Sequence, residues 1–104
     1  MKTNILIVDD VLTSLALMSD IVKSEGYIAR PVQNVKQAME AIDALLPDLI
    51  LSDVSMPDID GYEFCEMVKS NPKTADIPLI FVSALNDVNS RKKGYNVGAV
   101  DFIV

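Results

Sequence analysis

The strongest constraint on the fold is a set of three short apolar runs, each leading into a side chain that carries oxygen. The runs are ILIV, LIL and IPLIFV, and they lead to Asp9, Asp53 and Ser83. Uninterrupted apolar runs of this length are typical of parallel strands buried on both faces. Stretches of helical periodicity separate them, so the sequence predicts an α/β fold with a parallel sheet covered on both sides.

Turn and cap residues divide the rest of the chain. Gly26 stands where a first helix would end, and Asn34 is a candidate N-cap for a second. The run YIARPV predicts a weak strand at a sheet edge, because Pro31 lacks a backbone donor. We expect a polar helix from about Asp87 to Val97, interrupted at Gly94, and a last strand in VDFIV. No repeat or linker is evident, which predicts one domain over 1–104.

The carboxyl ends of parallel strands meet at one edge of a sheet, and ligands of open α/β sheets bind there. Asp9, Asp10, Asp53 and Ser83 would therefore converge. Adjacent carboxylates repel and burial adds to the cost, so a cation is expected among them. Plainer roles remain open: Asp10 or Ser83 could cap a helix, and Asp53 could be a turn residue.

Composition narrows the choice of partner and cation. A net charge of −6 argues against a nucleic-acid surface, which would need a basic patch. There is no histidine, so any metal would be held by oxygen, which favours Mg²⁺ with Mn²⁺ as a substitute. The single cysteine, Cys65, and the lack of a signal peptide or membrane span predict a cytoplasmic protein without membrane contact.

This residue set suits phosphoryl chemistry. Asp9, Asp10 and Asp53 could hold one Mg²⁺, which relieves their mutual repulsion and neutralises charge on a phosphoryl group. The Asp53 carboxylate could then accept that group as a mixed anhydride. Ser83 would donate a hydrogen bond to a phosphoryl oxygen.

The segments ILIVDD, PDLILSDVSMPDIDGYEF, IPLIFVSAL and GAVDFI closely resemble the receiver domain of two-component response regulators. The resemblance covers essentially the whole chain. It implies a flavodoxin-like sheet of five parallel strands in the order 2-1-3-4-5. It also implies that Asp53 takes a phosphoryl group from a histidine of a partner, either a histidine kinase or a histidine phosphotransfer protein.

The resemblance implies further roles by position. Asp10 matches a direct magnesium ligand and Asp9 an acid that holds the metal through water. Ser55 matches the position whose backbone carbonyl completes the protein ligands. Ser83 matches the switch hydroxyl, and Phe102 the aromatic that changes rotamer with it, although Phe102 could equally be an ordinary core residue.

The chain departs from the family pattern at its end. Receivers continue after the last strand with a Lys-Pro pair and a final helix, whereas this sequence stops at Val104 and its last basic residue is Lys93. We therefore expect a C-terminally truncated receiver with impaired phosphotransfer. We also expect an uncovered sheet face, leading to a homo-oligomer or a domain-swapped dimer.

Other functions remain to be weighed. A pseudo-receiver would act through protein contacts without phosphotransfer, as the missing lysine would allow. An aspartyl-phosphate phosphatase usually has a second acid two residues after the nucleophile, where this chain has Ser55. A flavin carrier would need a loop rich in Ser, Thr and Gly after the first strand. The expectation is thus a signalling module rather than an enzyme.

Overall fold

The computed structural model describes residues 2–82 and 88–103, except for the side chains of 88–91 and 102. Strands and helices alternate strictly along the chain. In order they are β1 (Asn4–Val8), α1 (Leu12–Ser24), β2 (Ile28–Val32), α2 (Val35–Ala44), β3 (Leu49–Ser52), α3 (Gly61–Ser70), β4 (Leu79–Val82), α4 (Val88–Asn96) and β5 (Asp101–Ile103). The α/β fold with a parallel sheet that the sequence predicted is confirmed.

The strands form one sheet in the order β2-β1-β3-β4-β5, and every neighbouring pair is parallel. The apolar strands β1, β3 and β4 lie in its interior. The strand that contains Pro31 lies at an edge, as predicted, where a missing backbone donor is tolerated. β5 has only three residues and pairs with β4 on the other side.

Local chemistry sets the helix ends. Gly26 follows the C-cap of α1 with φ of 88°, a left-handed conformation that glycine adopts without strain. The Asn34 side chain accepts a hydrogen bond of 2.8 Å from the Gln37 backbone, which confirms it as the N-cap of α2. Asp60 caps α3 in the same way, through the Glu63 backbone.

The two faces of the sheet differ in how they are covered. The larger core lies under α2 and α3, where Phe64, Phe81 and Ile50 are fully buried. On the opposite face α1 packs Leu15 and Val22 against Ile5 and Ile7 of β1. The helices therefore lie on both faces, and the larger share of the buried apolar residues belongs to the α2–α3 side.

Two details correct the expectations from sequence. The last described helix, α4, continues through Gly94, which is buried inside it, so the predicted interruption is wrong. The strand predicted from the run IPLIFV begins later than that run, at Leu79, because Pro78 has no backbone N–H to donate to the sheet. Within the described residues, no helix combines the length and apolarity that crossing a membrane requires.

Candidate metal centre

The position of Asp53 follows from the pairing of β3 with β1. Val8 and Ser52 are partners in the sheet, so the next residues, Asp9 and Asp53, leave the two strands side by side. The Asp53 backbone N–H donates to the Val8 carbonyl at 2.9 Å, which extends the pairing by one step. Neighbouring parallel strands thus deliver both carboxylates to the same edge of the sheet.

Three carboxylates converge there. One oxygen each from Asp9, Asp10 and Asp53 can be chosen so that all three lie within 4.8 Å of one another. Asp9 is buried, Asp53 is partly buried and Asp10 is exposed. The predicted meeting of these side chains is therefore observed, and the group opens towards solvent on the Asp10 side.

The electrostatics of this group oppose full ionisation. Burial raises the pKa of Asp53, and the charges of Asp9 and Asp10 raise it further. Burial also raises the pKa of Asp9, with a smaller contribution from Asp10. Backbone donors act in the other direction, since Val54 N–H donates to Asp53 at 2.8 Å and Val11 N–H to Asp9 at 2.9 Å. Repulsion and desolvation prevail over these bonds.

Such a group fits a hard divalent cation. All three donors are carboxylate oxygens, and no imidazole exists anywhere in the chain. Mg²⁺ is typically bound by one or two carboxylates and keeps several waters, which an open acidic edge permits. A cation would also offset the repulsion that raises the two pKa values. The residues present therefore fit Mg²⁺.

The alternative role for Asp10 is wrong. The N-cap of α1 is Val11, and no side chain caps that helix. The neighbouring acid, Asp9, instead accepts the Val11 N–H and so fixes the turn that leads from β1 into α1. Asp10 is exposed at the open side of the group, and its carboxylate does not cap α1.

The structure describes the remaining predicted site residues to different extents. Ser55 lies exposed in the loop after β3, two residues beyond Asp53, and its backbone N–H contributes to lowering the Asp53 pKa. Ser83 lies outside the described residues. The backbone of Phe102 belongs to β5 in register with Phe81, but its side chain is also outside the description. Their proposed switch roles therefore stay predictions.

The loop between β3 and α3 is held close to Asp53. Gly61 N–H donates to the Val54 carbonyl at 2.7 Å. A Cβ at Gly61 would collide with the Asp53 carbonyl oxygen and would lie 2.9 Å from the Val54 Cα. Only glycine lets α3 start this near to the acidic residue, which explains why the sequence has the Asp-Gly pair there.

An apolar groove that the sequence did not reveal adjoins the carboxylates. It has a volume of about 340 Å³ and runs between Val82 of β4 and Leu17 and Met18 of α1, beginning at Asp9 and Asp53. Leu17 is 62% exposed and Val11 is 48% exposed. Leu17 lies on the side of α1 away from the buried residues Leu15 and Val22, and Val11 precedes the helix. Apolar residues at such exposed positions are the feature of the sequence that could have indicated the groove.

Comparison with known proteins places the chain in a family. Residues 5–104 match the family model described as response regulator receiver domain. The chain therefore belongs to the response regulator receiver domain family, which confirms the resemblance seen in the sequence.

Individual relatives agree. The chain is 34% identical to the response regulator PleD of Caulobacter vibrioides over 103 residues, which are 99% of this chain and 23% of that protein. It is 35% identical to a probable cyclic di-GMP phosphodiesterase of Vibrio cholerae over 98% of this chain and 23% of that protein. The chain thus spans about a quarter of the length of these two relatives.

Solved structures show the same fold. A putative response regulator from Chloroflexus aurantiacus superimposes with a TM-score of 0.94 and 31% identity, covering 98% of this chain and 84% of that one. Receiver domains are signalling modules that generally bind Mg²⁺ at an acidic cluster and interact with histidine kinases or phosphotransfer proteins. The carboxylates of Asp9, Asp10 and Asp53 form such a cluster in this chain.

Proposed function

We propose that this chain is a phosphoacceptor signalling module in which Asp53 receives a phosphoryl group. The observation that carries the proposal is the convergence of Asp9, Asp10 and Asp53 within 4.8 Å at the carboxyl edge of the sheet. The site would hold Mg²⁺ through Asp9, Asp10, Asp53 and the Ser55 carbonyl. When bound, Mg²⁺ supplies positive charge that offsets the charge on phosphoryl oxygens.

The transfer itself is a displacement at phosphorus. A carboxylate oxygen of Asp53 forms the new O–P bond while the P–N bond of a phosphohistidine breaks, and the histidine nitrogen keeps the electron pair. These 104 residues contain no histidine, so the phosphohistidine must come from outside them. A histidine kinase or a histidine phosphotransfer protein fits that requirement.

The surrounding backbone prepares Asp53 for this role. The Val54 N–H donates to one carboxylate oxygen of Asp53 at 2.8 Å, and this hydrogen bond restrains the rotation of the carboxylate. The close approach of Gly61 fixes the main chain of Asp53 from the other side. The exposed mouth at Asp10 leaves a path for the incoming group. Once the phosphoryl group is attached, Ser83 is proposed to donate a hydrogen bond to it and Phe102 to change rotamer with Ser83.

Treatment with a small phosphodonor such as acetyl phosphate and Mg²⁺ tests the assignment. We expect one phosphoryl group per chain, labile in base as an acyl phosphate is, and none on an Asp53→Asn variant. Asp43→Asn is the matched control, because Asp43 is an exposed acid of α2 outside the cluster. Phosphate on a serine or threonine by mass spectrometry would contradict the proposal.

The resemblance also assigns the transferred group a cationic contact from a lysine after the last strand, a position beyond the last lysine of these 104 residues, Lys93. Fusing the corresponding lysine-bearing segment of a relative should accelerate phosphorylation. A pseudo-receiver, the alternative function, would show no transfer in either form.

We also infer that this 104-residue chain self-associates through the face beside α1. Sheet register puts Leu51 with Ile80, and Val82 with Ile103, on the same face as the α1-covered residues of β1. These side chains are only partly buried, and Ile103 is exposed. Apolar surface of this kind is a common site of association.

Sedimentation velocity over a range of concentrations tests this inference. We expect assembly, either face to face or by exchange of a terminal element, and we expect Leu17→Lys to weaken the face-to-face form. Leu45→Lys is the matched control, with 58% exposure against 62% for Leu17 but a position at the end of α2. A monomer at every concentration would refute self-association.

A further inference from the structure

The helix α4 is attached to the domain differently from the helices beside it. α2 and α3 each bury three or more side chains in the large core. Only Gly94 is buried among the α4 residues whose exposure the structure describes. The others are exposed: Lys92, Lys93, Tyr95 and Asn96. Burial of apolar surface, the main force that holds a helix to a core, is therefore small along this part of α4.

A mixed polar seam connects α4 and its following turn to α3, beside one apolar contact in which the half-buried Val97 packs against the large core. Three α3 residues on one helical face, Tyr62, Cys65 and Lys69, meet it in order. The Lys93 ammonium lies 4.6 Å from the centre of the Tyr62 ring. The Cys65 thiol donates to the Val97 carbonyl at 3.4 Å.

The third contact lies beyond the end of α4. A Cβ on Gly98 would lie 3.0 Å from Lys69 Cγ, so the lysine stem packs directly on that glycine. Gly98 has φ of 104°, which only glycine adopts freely, and it forms the turn between α4 and β5. The turn is therefore both a contact of the seam and a natural pivot.

The first two of these contacts are weak by their chemistry. A cation–π contact of an exposed lysine is partly cancelled by water around the ammonium. A thiol is a poor hydrogen-bond donor. Tyr62 itself is anchored on the other side, because its ring meets Phe81 of β4 edge to face at 5.4 Å. If the seam opens, Tyr62 stays with α3 and β4 while Lys93 leaves with α4.

We propose that α4 detaches from α3 as a local unit while the sheet and the other helices stay folded. Gly98 is the pivot, and the Lys93 ammonium on the Tyr62 ring is the latch that sets how often the seam opens. Elements with few buried apolar contacts open with less free energy than the core does, and they open in contiguous units. The proposal does not depend on phosphotransfer.

Cys65 is a built-in reporter of this opening. It is the single cysteine of the chain, and its side chain is fully buried in the seam. Burial raises the pKa of its thiol to about 11, so the closed state contains almost no reactive thiolate. Labelling with an aromatic disulfide reagent in excess therefore measures the population of the open state.

The test compares two single substitutions in adjacent lysines of the 104-residue chain. Lys93→Met removes the latch charge, and we expect Cys65 to label about two- to fivefold faster, the population change that corresponds to an exposed cation–π contact. Lys92→Met removes an equal charge outside the seam, and we expect the wild-type rate. Far-UV circular dichroism should show the same helix content for all three proteins.

The denaturant dependence of labelling distinguishes local from global opening. We expect a slope in urea clearly below that of global unfolding, because a local opening exposes less surface. A slope equal to the global one would overturn local detachment. Equal labelling rates for Lys93→Met and Lys92→Met would overturn the latch.

Discussion

The two ends of the sheet carry polar clusters built on opposite principles. At the amino end, Asn4, Arg30 and Asp48 form a matched set. The Asp48 carboxylate accepts the Asn4 N–H at 2.8 Å, and the Arg30 guanidinium donates to the Asn4 side-chain oxygen at 2.9 Å. Arg30 also donates to the carbonyls of Ala41 and Leu45, which closes the end of α2.

At the carboxyl end the cluster is one-sided. Asp9, Asp10 and Asp53 bring together three acceptors, and backbone N–H groups are the donors that they receive from the described part of the chain. The pKa values of Asp9 and Asp53 are raised as a result. Matched polar groups hold a fold together, whereas converging like charges weaken it unless a ligand is bound. The amino-end cluster therefore stabilises the fold, whereas the carboxyl-end cluster is the one we propose to bind a ligand.

The largest expected effect is on metal affinity. Asp53→Asn or Asp10→Asn should weaken Mg²⁺ binding on the order of a hundredfold, because each removes an anionic ligand from an ion that loses its waters reluctantly. Asp48→Asn, at the other end, should leave the affinity unchanged. Free Mn²⁺ measured by electron paramagnetic resonance gives the dissociation constants. Unchanged affinity in Asp53→Asn would remove the functional distinction between the two ends.

The second effect concerns the matched cluster. Arg30→Met should lower the free energy of unfolding by about 2 kcal/mol, because three acceptors lose a charged donor. Urea unfolding with and without Mg²⁺ measures it, and the loss should be the same in both. Lys36→Met, an exposed cation at the start of α2, is the control. A loss below 0.5 kcal/mol would show that the amino-end cluster is not a structural element.

The sequence predicted one end far better than the other. Asp9 and Asp53 directly follow apolar strands, and the edge where parallel strands end is fixed by fold class alone. The helical periodicity between the apolar runs also predicted that helices separate the strands. These features depend on neighbours in sequence or on a general rule of α/β sheets, so no coordinates were needed.

The amino-end cluster and the seam beside α4 could not be predicted in this way. Asn4 and Asp48 are 44 residues apart, and Arg30 is 26 residues from Asn4. The contact of Lys93 with Tyr62 depends on where two helices lie against each other. No periodicity encodes such pairs, because the distances between their side chains are set by tertiary packing. The same holds for the groove beside Leu17.

The smallest effect is the most specific to the comparison, since its sign depends on the metal. In a chelator at pH 7, Asp53→Asn should raise the free energy of unfolding by about 1 kcal/mol, the usual scale of a point change. The substitution removes one of three repelling charges, and the Asn oxygen can still accept from Val54. With Mg²⁺ in excess, the wild type gains from binding and the order reverses.

The pH dependence follows from the direction of the pKa shift. The Asp53 pKa is raised above its unfolded value of 3.8, so the folded state binds that proton more tightly. The resulting stability is fully present below pH 3.8 and is lost as the pH rises through the raised pKa. The stability advantage of metal-free Asp53→Asn over the wild type should therefore be absent in acid and grow towards neutrality.

Asp43→Asn, outside the cluster, should stay within about 0.5 kcal/mol of the wild type throughout. Urea unfolding in chelator between pH 3 and pH 7 measures both curves, and an Asp53→Asn protein that is less stable than the wild type at pH 7 would mean that the three carboxylates do not repel.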